Sequence, residues 1–175
     1  MLITNGREES RMLHALAANN INFTDYLFLR MDPVNIQWTG HSDFPDVDNL
    51  KIWYQSQLLN ENRKIILFYD ERKIVGYLYL DWINIENGVE ISYGTHSCFS
   101  GRGYGKTIVE FAVQNAVKYF PKVRILSAWI ADNNLRSVRC ALNAGINKKV
   151  CSETRDLPSF GHSIIFSKYC TYLNK

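Results

Sequence analysis

Apolar and polar residues follow two rhythms along this 175-residue chain, and the change falls near Lys64. Before it the spacing is helical. Residues 7–18 (REESRMLHALAA) read as a short helix and Phe23–Met31 as a second. Asp32-Pro33 ends that pattern, because the proline ring restricts the residue before it. Residues 33–46 read as an irregular stretch holding Trp38, Gly40, His41 and Pro45. Leu50, Trp53, Tyr54 and Leu58 restore helical spacing over 48–60, with Asp46 or Asp48 available as the cap.

From Lys64 onward, β-branched and aromatic residues dominate. KIILFYD (64–70), KIVGYLYLDWI (73–83) and VEISYGT (89–95) read as strands, separated by Glu71-Arg72 and by Asn87-Gly88. The Asn-Gly pair is a strong hairpin signal. A helix follows at 104–120, a strand at 124–131, a helix at 135–144, and closing strands at 147–155 and 162–172. The order predicts a mixed α/β (α+β) sheet in one domain over residues 1–175, with a strand that feeds a glycine loop and a helix.

Composition narrows the function classes. Hydrophobic residues make up 46% and charged residues 21%, the balance of a globular chain. A net charge of +3 suits a small anionic ligand but is neither large nor clustered enough for nucleic acid. No apolar run reaches membrane-spanning length and MLITNGREES lacks a signal-peptide core, which points to the cytoplasm. Cys98, Cys140, Cys151 and Cys170, like His14, His41, His96 and His162, are scattered without ligand spacing, so no metal site is implied.

The candidate chemistry lies in Glu90–Phe120. A strand ends near Thr95, and Gly101, Gly103 and Gly105 precede a helix. Ile108, Phe111, Ala112, Ala116 and Phe120 form its apolar stripe, with Lys106, Glu110, Gln114 and Lys118 on its polar side. Such a unit aims free backbone N–H groups and the positive helix end at one point, which suits a pyrophosphate. A nucleoside-triphosphate loop of the GxxxxGK[ST] type would need its first glycine at Ser100, and GxGxxG would need its third at Lys106 or Ile108. What remains is the shorter GxGxG, Gly101-Arg102-Gly103-Tyr104-Gly105, or a glycine turn that only packs.

Glu90-Ile91-Ser92-Tyr93 and Phe99-Ser100-Gly101-Arg102-Gly103-Tyr104-Gly105 resemble motif A of the GCN5-related N-acetyltransferases. Asn134-Leu135-Arg136-Ser137 leading to Leu142-Asn143-Ala144-Gly145-Ile146 is similar to that family's second segment at the same spacing. Arg30-Met31-Asp32-Pro33 and Trp38-Thr39-Gly40-His41 look like the acceptor side of its ribosomal-protein and amino-sugar branches. Residues 1–22 match nothing recognised. The resemblance implies a mostly antiparallel sheet of about six to seven strands, flanked by helices and splayed between the fourth and fifth. It also implies acetyl-CoA as co-substrate, an amine acceptor that is a small molecule or a peptide, and a monomer or homodimer. The branches point to a protein N-terminus or a nucleotide-linked amino sugar, with polyamines and antibiotics behind them.

By this resemblance Tyr93, Gly94, Thr95, Ser100, Gly101, Arg102, Gly103, Tyr104, Gly105, Lys106 and Asn134 bind the cofactor. The family's usual Arg or Gln is replaced by Ser100, with Arg102 and Lys106 nearby to add charge. Ala141 stands where many members place a tyrosine that protonates the departing thiolate. Glu90 is the candidate base, or else a strand-start carboxylate in solvent or an ion pair, with Asp81 and His96 behind it. Ser137 and Tyr169 are candidate acids, and Trp38, His41 and Trp82 candidate acceptor-pocket residues. A degenerate member that binds coenzyme A or a partner without catalysis is the alternative.

Overall fold

The computed structural model describes residues 13–173. Its frame is a seven-stranded sheet of order β1-β2-β3-β4-β5-β7-β6. The strands are β1 (His14–Ala17), β2 (Arg63–Asp70), β3 (Lys73–Ile83), β4 (Gly88–Thr95), β5 (Ile125–Ala131), β6 (Lys148–Leu157) and β7 (His162–Tyr172). Every neighbouring pair is antiparallel except β4 and β5, which are parallel. The helices are α1 (Phe23–Arg30), α2 (Pro33–Trp38), α3 (Val47–Leu58), α4 (Tyr104–Tyr119) and α5 (Leu135–Asn143). Among the described residues no helix is long and apolar enough to cross a membrane.

The strand period of two sorts the core into layers. On β3, Leu78 and Leu80 face one side, where Ile108, Val109, Ala112 and Ala116 of α4 and Ala141 of α5 meet them. Tyr77 and Tyr79 face the other side, against Tyr26 and Leu29 of α1 and Leu50 and Tyr54 of α3. The α4 stripe buries Ile108, Ala112 and Ala116 as its period requires, and Tyr104 and Val109 join them.

Three local expectations need correction. Residues 14–17 form an edge strand paired with Ile66–Tyr69, not the end of a helix, because cross-strand pairing overrides the helix preference of Ala and Leu. The rest of that expected helix, 7–12, lies outside the described residues. Pro33 starts a helix where an irregular stretch was expected. It sits at the first helical position, where its missing N–H costs nothing, and the side chain of Asp32 caps the turn by accepting from Asn35 N at 3.2 Å. The β3–β4 hairpin does not turn on two residues. A 3-10 turn over Asn84–Glu86 carries the chain round, and Asn87 closes it at φ 45°. Of the two possible caps for α3, Asp46 is the one used, through a 2.9 Å bond from Asn49 N.

Candidate active site

The parallel strands β4 and β5 stay together for only three residue pairs, Gly88–Glu90 with Ile125–Ser127. Beyond that they part, and Ile91–Thr95 faces Ala128–Ala131 across a gap. Two cavities fill this fork. One, of about 380 Å³, is walled by residues that include Arg30, Arg63, Tyr79, Glu90 and Arg155. The other, of about 470 Å³, runs past Gly94, Thr95, Ser100, Gly105, Arg136 and Cys140. Asn35, Trp38, Tyr93, Asn134 and Ser137 belong to both walls.

The second cavity ends at the glycine loop. Gly101 and Gly103 have φ of +78° and +83°, and a Cβ on either would meet nothing within 4 Å. Backbone conformation, not crowding, therefore calls for glycine at both positions. Gly103 is the N-cap of α4 and offers no side-chain cap, so the first N–H groups of the helix lack an intrahelical partner beside the loop. Gly105 serves another purpose. A Cβ there would lie 3.1 Å from Cys140 Sγ, so this glycine lets α4 approach α5.

The side chains around the loop divide. Tyr104 turns inward, only 3% exposed, and its hydroxyl donates to Asp70. It can offer a ligand only its backbone. Lys106 pairs with Glu110 at 3.5 Å along the helix face, and Arg102 lies over the Phe99 ring, 5.5 Å from its centroid. The cation that reaches Ser100 comes from elsewhere. Arg136, in the first turn of α5, donates to Ser100 Oγ at 2.8 Å. Sequence reading passed over this residue, although it lies inside the quoted Asn134–Ser137 segment, because the contact joins positions 36 apart. Cys98 is exposed at the loop, with Sγ 2.8 Å from His96 Nδ1.

At the junction of the cavities, the Tyr93 hydroxyl donates to the Ser137 carbonyl oxygen at 3.0 Å and lies 2.7 Å from Ser137 Oγ. Burial raises the Tyr93 phenol above its ordinary range, so it stays protonated at neutral pH. Asn134 Oδ1 accepts from Ser137 N at 3.2 Å, which fixes the start of α5 and with it the serine. Ala141 is fully buried in the α4–α5 core. Tyr169 packs against the same core and lines neither cavity.

Glu90 lies on the wall of the first cavity. Burial raises its carboxyl above the ordinary value, Lys168 and Arg155 oppose the rise, and Asp81 and Glu86 add to it. Asp81 is its direct cross-strand partner, but that carboxylate is held by Arg63 through bonds of 2.5 and 2.9 Å. Both Asp81 oxygens are thus committed to Arg63, and Asp81 does not line this cavity. His96 stacks on Phe28 at 4.2 Å beside the loop, with Nε2 3.9 Å from Asp32, and is outside this cavity. Trp38 and His41 do line it. Trp82 does not: it stacks on Phe120 at 5.7 Å on the α4 side of the sheet. One step along β3 from Asp81, its side chain must point the other way.

The acetyltransferase (GNAT) domain family matches residues 16–147. No curated protein matches the chain in sequence. Among solved structures, the spermidine N-acetyltransferase from Vibrio cholerae, in complex with CoA and spermine, superposes with a TM-score of 0.82 at 13% identity, over 92% of this chain and 95% of that one. The ribosomal-protein-alanine N-acetyltransferase from Brucella melitensis gives 0.77 at 19% identity, over 91% and 99%. A ribosomal L7/L12 alpha-N-protein acetyltransferase in complex with coenzyme A gives 0.79 at 15% identity, over 94% and 96%. A forked sheet with a glycine loop at its mouth, and a family match over most of the length, lead to one assignment: this chain belongs to the GNAT acetyltransferase family.

Proposed function

We propose that this protein transfers the acetyl group of acetyl-CoA to a primary amine by direct attack within a ternary complex. The observation that carries the reading is the fork between β4 and β5. It joins a cavity ending at a phosphate-suited loop to one holding an unpaired carboxylate, with Tyr93, Asn134 and Ser137 between them. Similar folds are known with CoA bound, among them the spermidine and L7/L12 enzymes, which supports coenzyme A as the carrier of the acetyl group.

Acetyl-CoA supplies an acyl group already activated as a thioester. The backbone N–H groups of Gly101–Gly105 and the start of α4 hold its pyrophosphate, with Arg136 adding charge from the side. The free β5-side edge of Tyr93–Thr95 pairs with the extended pantetheine arm and offers an N–H to the developing oxyanion. Glu90, directly or through a water, takes the proton of the ammonium, and its raised pKa makes it the better base. The nitrogen–carbon bond then forms and the carbon–sulfur bond breaks. The nitrogen's second proton passes to the departing thiolate through Ser137 Oγ, which accepts one proton as it gives one and is oriented by the Tyr93 hydroxyl 2.7 Å away. A thiol titrates near ~8.5, so it leaves without a strong acid, and a hydroxyl can stand in where Ala141 removes the usual tyrosine.

Release of free thiol across a panel of amines, read beside the melting temperature with acetyl-CoA, tests this. Turnover supports transfer. Binding without turnover of any amine would favour a coenzyme A-binding module, and no shift at saturating acetyl-CoA would remove the cofactor itself.

A further inference from the structure

The acceptor cavity carries four strongly charged side chains, and their partners differ. Arg63 is neutralised by Asp81 in a two-bond pair and is sandwiched against Trp53 and Tyr79. Arg155 pairs with Glu153 at 2.5 Å and lies over the rings of Trp129 and Phe166. Two charges remain. Neither Glu90 nor Arg30 takes part in any ion pair among the described residues, and they do not pair with each other.

Arg30 closes the last turn of α1 and reaches across the face of β3. Its Nη1 donates to the hydroxyls of Tyr26 at 3.1 Å and Tyr79 at 3.2 Å, and those hydroxyls lie 2.6 Å apart. Burial holds both phenols above their ordinary range, so they are neutral acceptors that orient the guanidinium without cancelling its charge. Its Nε and Nη2 donate to nothing among the described residues. Among the described residues no buried side-chain nitrogen or oxygen lacks a partner, so these free edges are open to solvent, and Arg30 lines the acceptor cavity. The neighbouring cavity, which Arg30 and His41 also line, holds Asp43 and Asp46. Both are exposed and already engaged, Asp43 with Ser42 and Asp46 with the start of α3, and neither comes within 4.0 Å of Arg30.

Tyr79 links the two open charges. Ser92 is its direct partner on β4, and Glu90 lies one pleat further on the same face. Diagonal neighbours of this kind are about 7–8 Å apart, so Glu90 and the tyrosine that holds Arg30 share one wall of the same cavity. A free guanidinium edge is built for a carboxylate or phosphate, and a lone carboxylate for an ammonium. A polyamine would place its second ammonium against Arg30, with a like-charge cost.

We infer that the acceptor is a small amine carrying its own carboxylate or phosphate, with the amine at Glu90 and the anion on Arg30, and that polyamines are poor acceptors. The inference rests on the acetyl-transfer reading for the identity of the reaction, not for the binding of the anion. The cavity of about 380 Å³ is of small-molecule size.

The test is a thiol-release panel on the wild-type protein that pairs each anionic amine with its uncharged counterpart. An ω-amino acid is set against its amide, glucosamine 6-phosphate against glucosamine, and spermidine stands alone. The anionic member of at least one pair should win by about tenfold or more in kcat/KM, the scale of one charge-assisted contact, and the pair that does so distinguishes carboxylate from phosphate. Arg30→Gln should bring that ratio close to one, provided its melting curve shows a folded protein. Calorimetric binding of the same anionic amines, with and without the substitution, gives a readout independent of turnover. Binding that depends on Arg30 without any transfer would support the inference and overturn the catalytic reading. Transfer to spermidine or to the neutral amines at equal efficiency would overturn the inference and leave the catalytic reading intact. Anionic amines that neither bind nor react would also overturn it.

Discussion

Arg136 donates a 2.8 Å hydrogen bond to Ser100 Oγ and so ties the first turn of α5 to the loop that precedes α4. The family's usual Arg or Gln is absent at position 100, yet a guanidinium from α5 reaches Ser100. Arg136→Ala should raise the Kd for acetyl-CoA by about three- to tenfold, the range for a solvent-facing charge–phosphate contact. The effect should shrink as salt is added. Placing Ser100→Arg in the Arg136→Ala background should recover the loss. An unchanged Kd at low salt would leave Arg136 as a loop brace with no part in binding.

Glu90→Gln should lower kcat/KM by about 10²-fold or more at neutral pH and leave acetyl-CoA affinity nearly untouched. The deficit should narrow as pH rises, because more acceptor arrives unprotonated. The same substitution should stabilise the fold. Burial raises the Glu90 pKa above its unfolded value, so its ionisation costs stability as pH climbs from the ordinary glutamate value of about 4.3 through the raised one. The variant should therefore melt higher than wild type at pH 7, and the two should converge in acid. Normal turnover with no gain in melting temperature would reduce Glu90 to a surface carboxylate.

Ser137→Ala should lower kcat for the acetyl step by about 10²-fold at most, with KM for acetyl-CoA little changed, since a thiolate is a fair leaving group. Tyr93→Phe removes the group 2.7 Å from that hydroxyl and should give a smaller loss of the same kind. Equal kcat for Ser137→Ala and wild type in single-turnover experiments would exclude the serine as the proton donor.

The glycines should separate by mechanism. Gly103→Val places a β-branched residue at φ +83°, costing about 1–2 kcal/mol of backbone strain and pushing Cβ into the ligand's space. Acetyl-CoA binding should suffer more than folding. Gly105→Val should do the reverse, because its side chain meets Cys140 in a packed contact, with about 1–3 kcal/mol lost to overpacking. Pairing it with Cys140→Ala should return part of that stability. Circular dichroism melts beside calorimetric Kd values tell these outcomes apart.

Elements defined by local periodicity were legible from sequence. The strands around Ile66, Leu78 and Ile91 and the amphipathic α4 fall where side-chain spacing placed them, and the fork was implied by the family resemblance. What failed depends on partners remote in sequence. HALA at 14–17 carries helix formers but has β2 to pair with, and no local pattern announces that edge. Trp82 looks like a pocket residue until strand parity is fixed by which face α4 covers. Arg30 was noticed only as part of a motif. Its open guanidinium edge depends on Tyr26, one turn earlier, and on Tyr79 from a different strand.

The fork described above has a bearing on divergence. On the β5 side, Ile91–Thr95 presents main-chain donors and acceptors with no strand opposite, and these are common to every amino acid except proline. A partner that reads such an edge does not read the side chains that happen to hang from it. Sequence can then drift freely at those positions while the grip persists. Chains sharing only 13–19% of their residues with this one can keep its sheet nearly superposable. On the proposed reading, specificity is left to side chains of the acceptor cavity such as Glu90 and Arg30, where a single substitution can rewrite it.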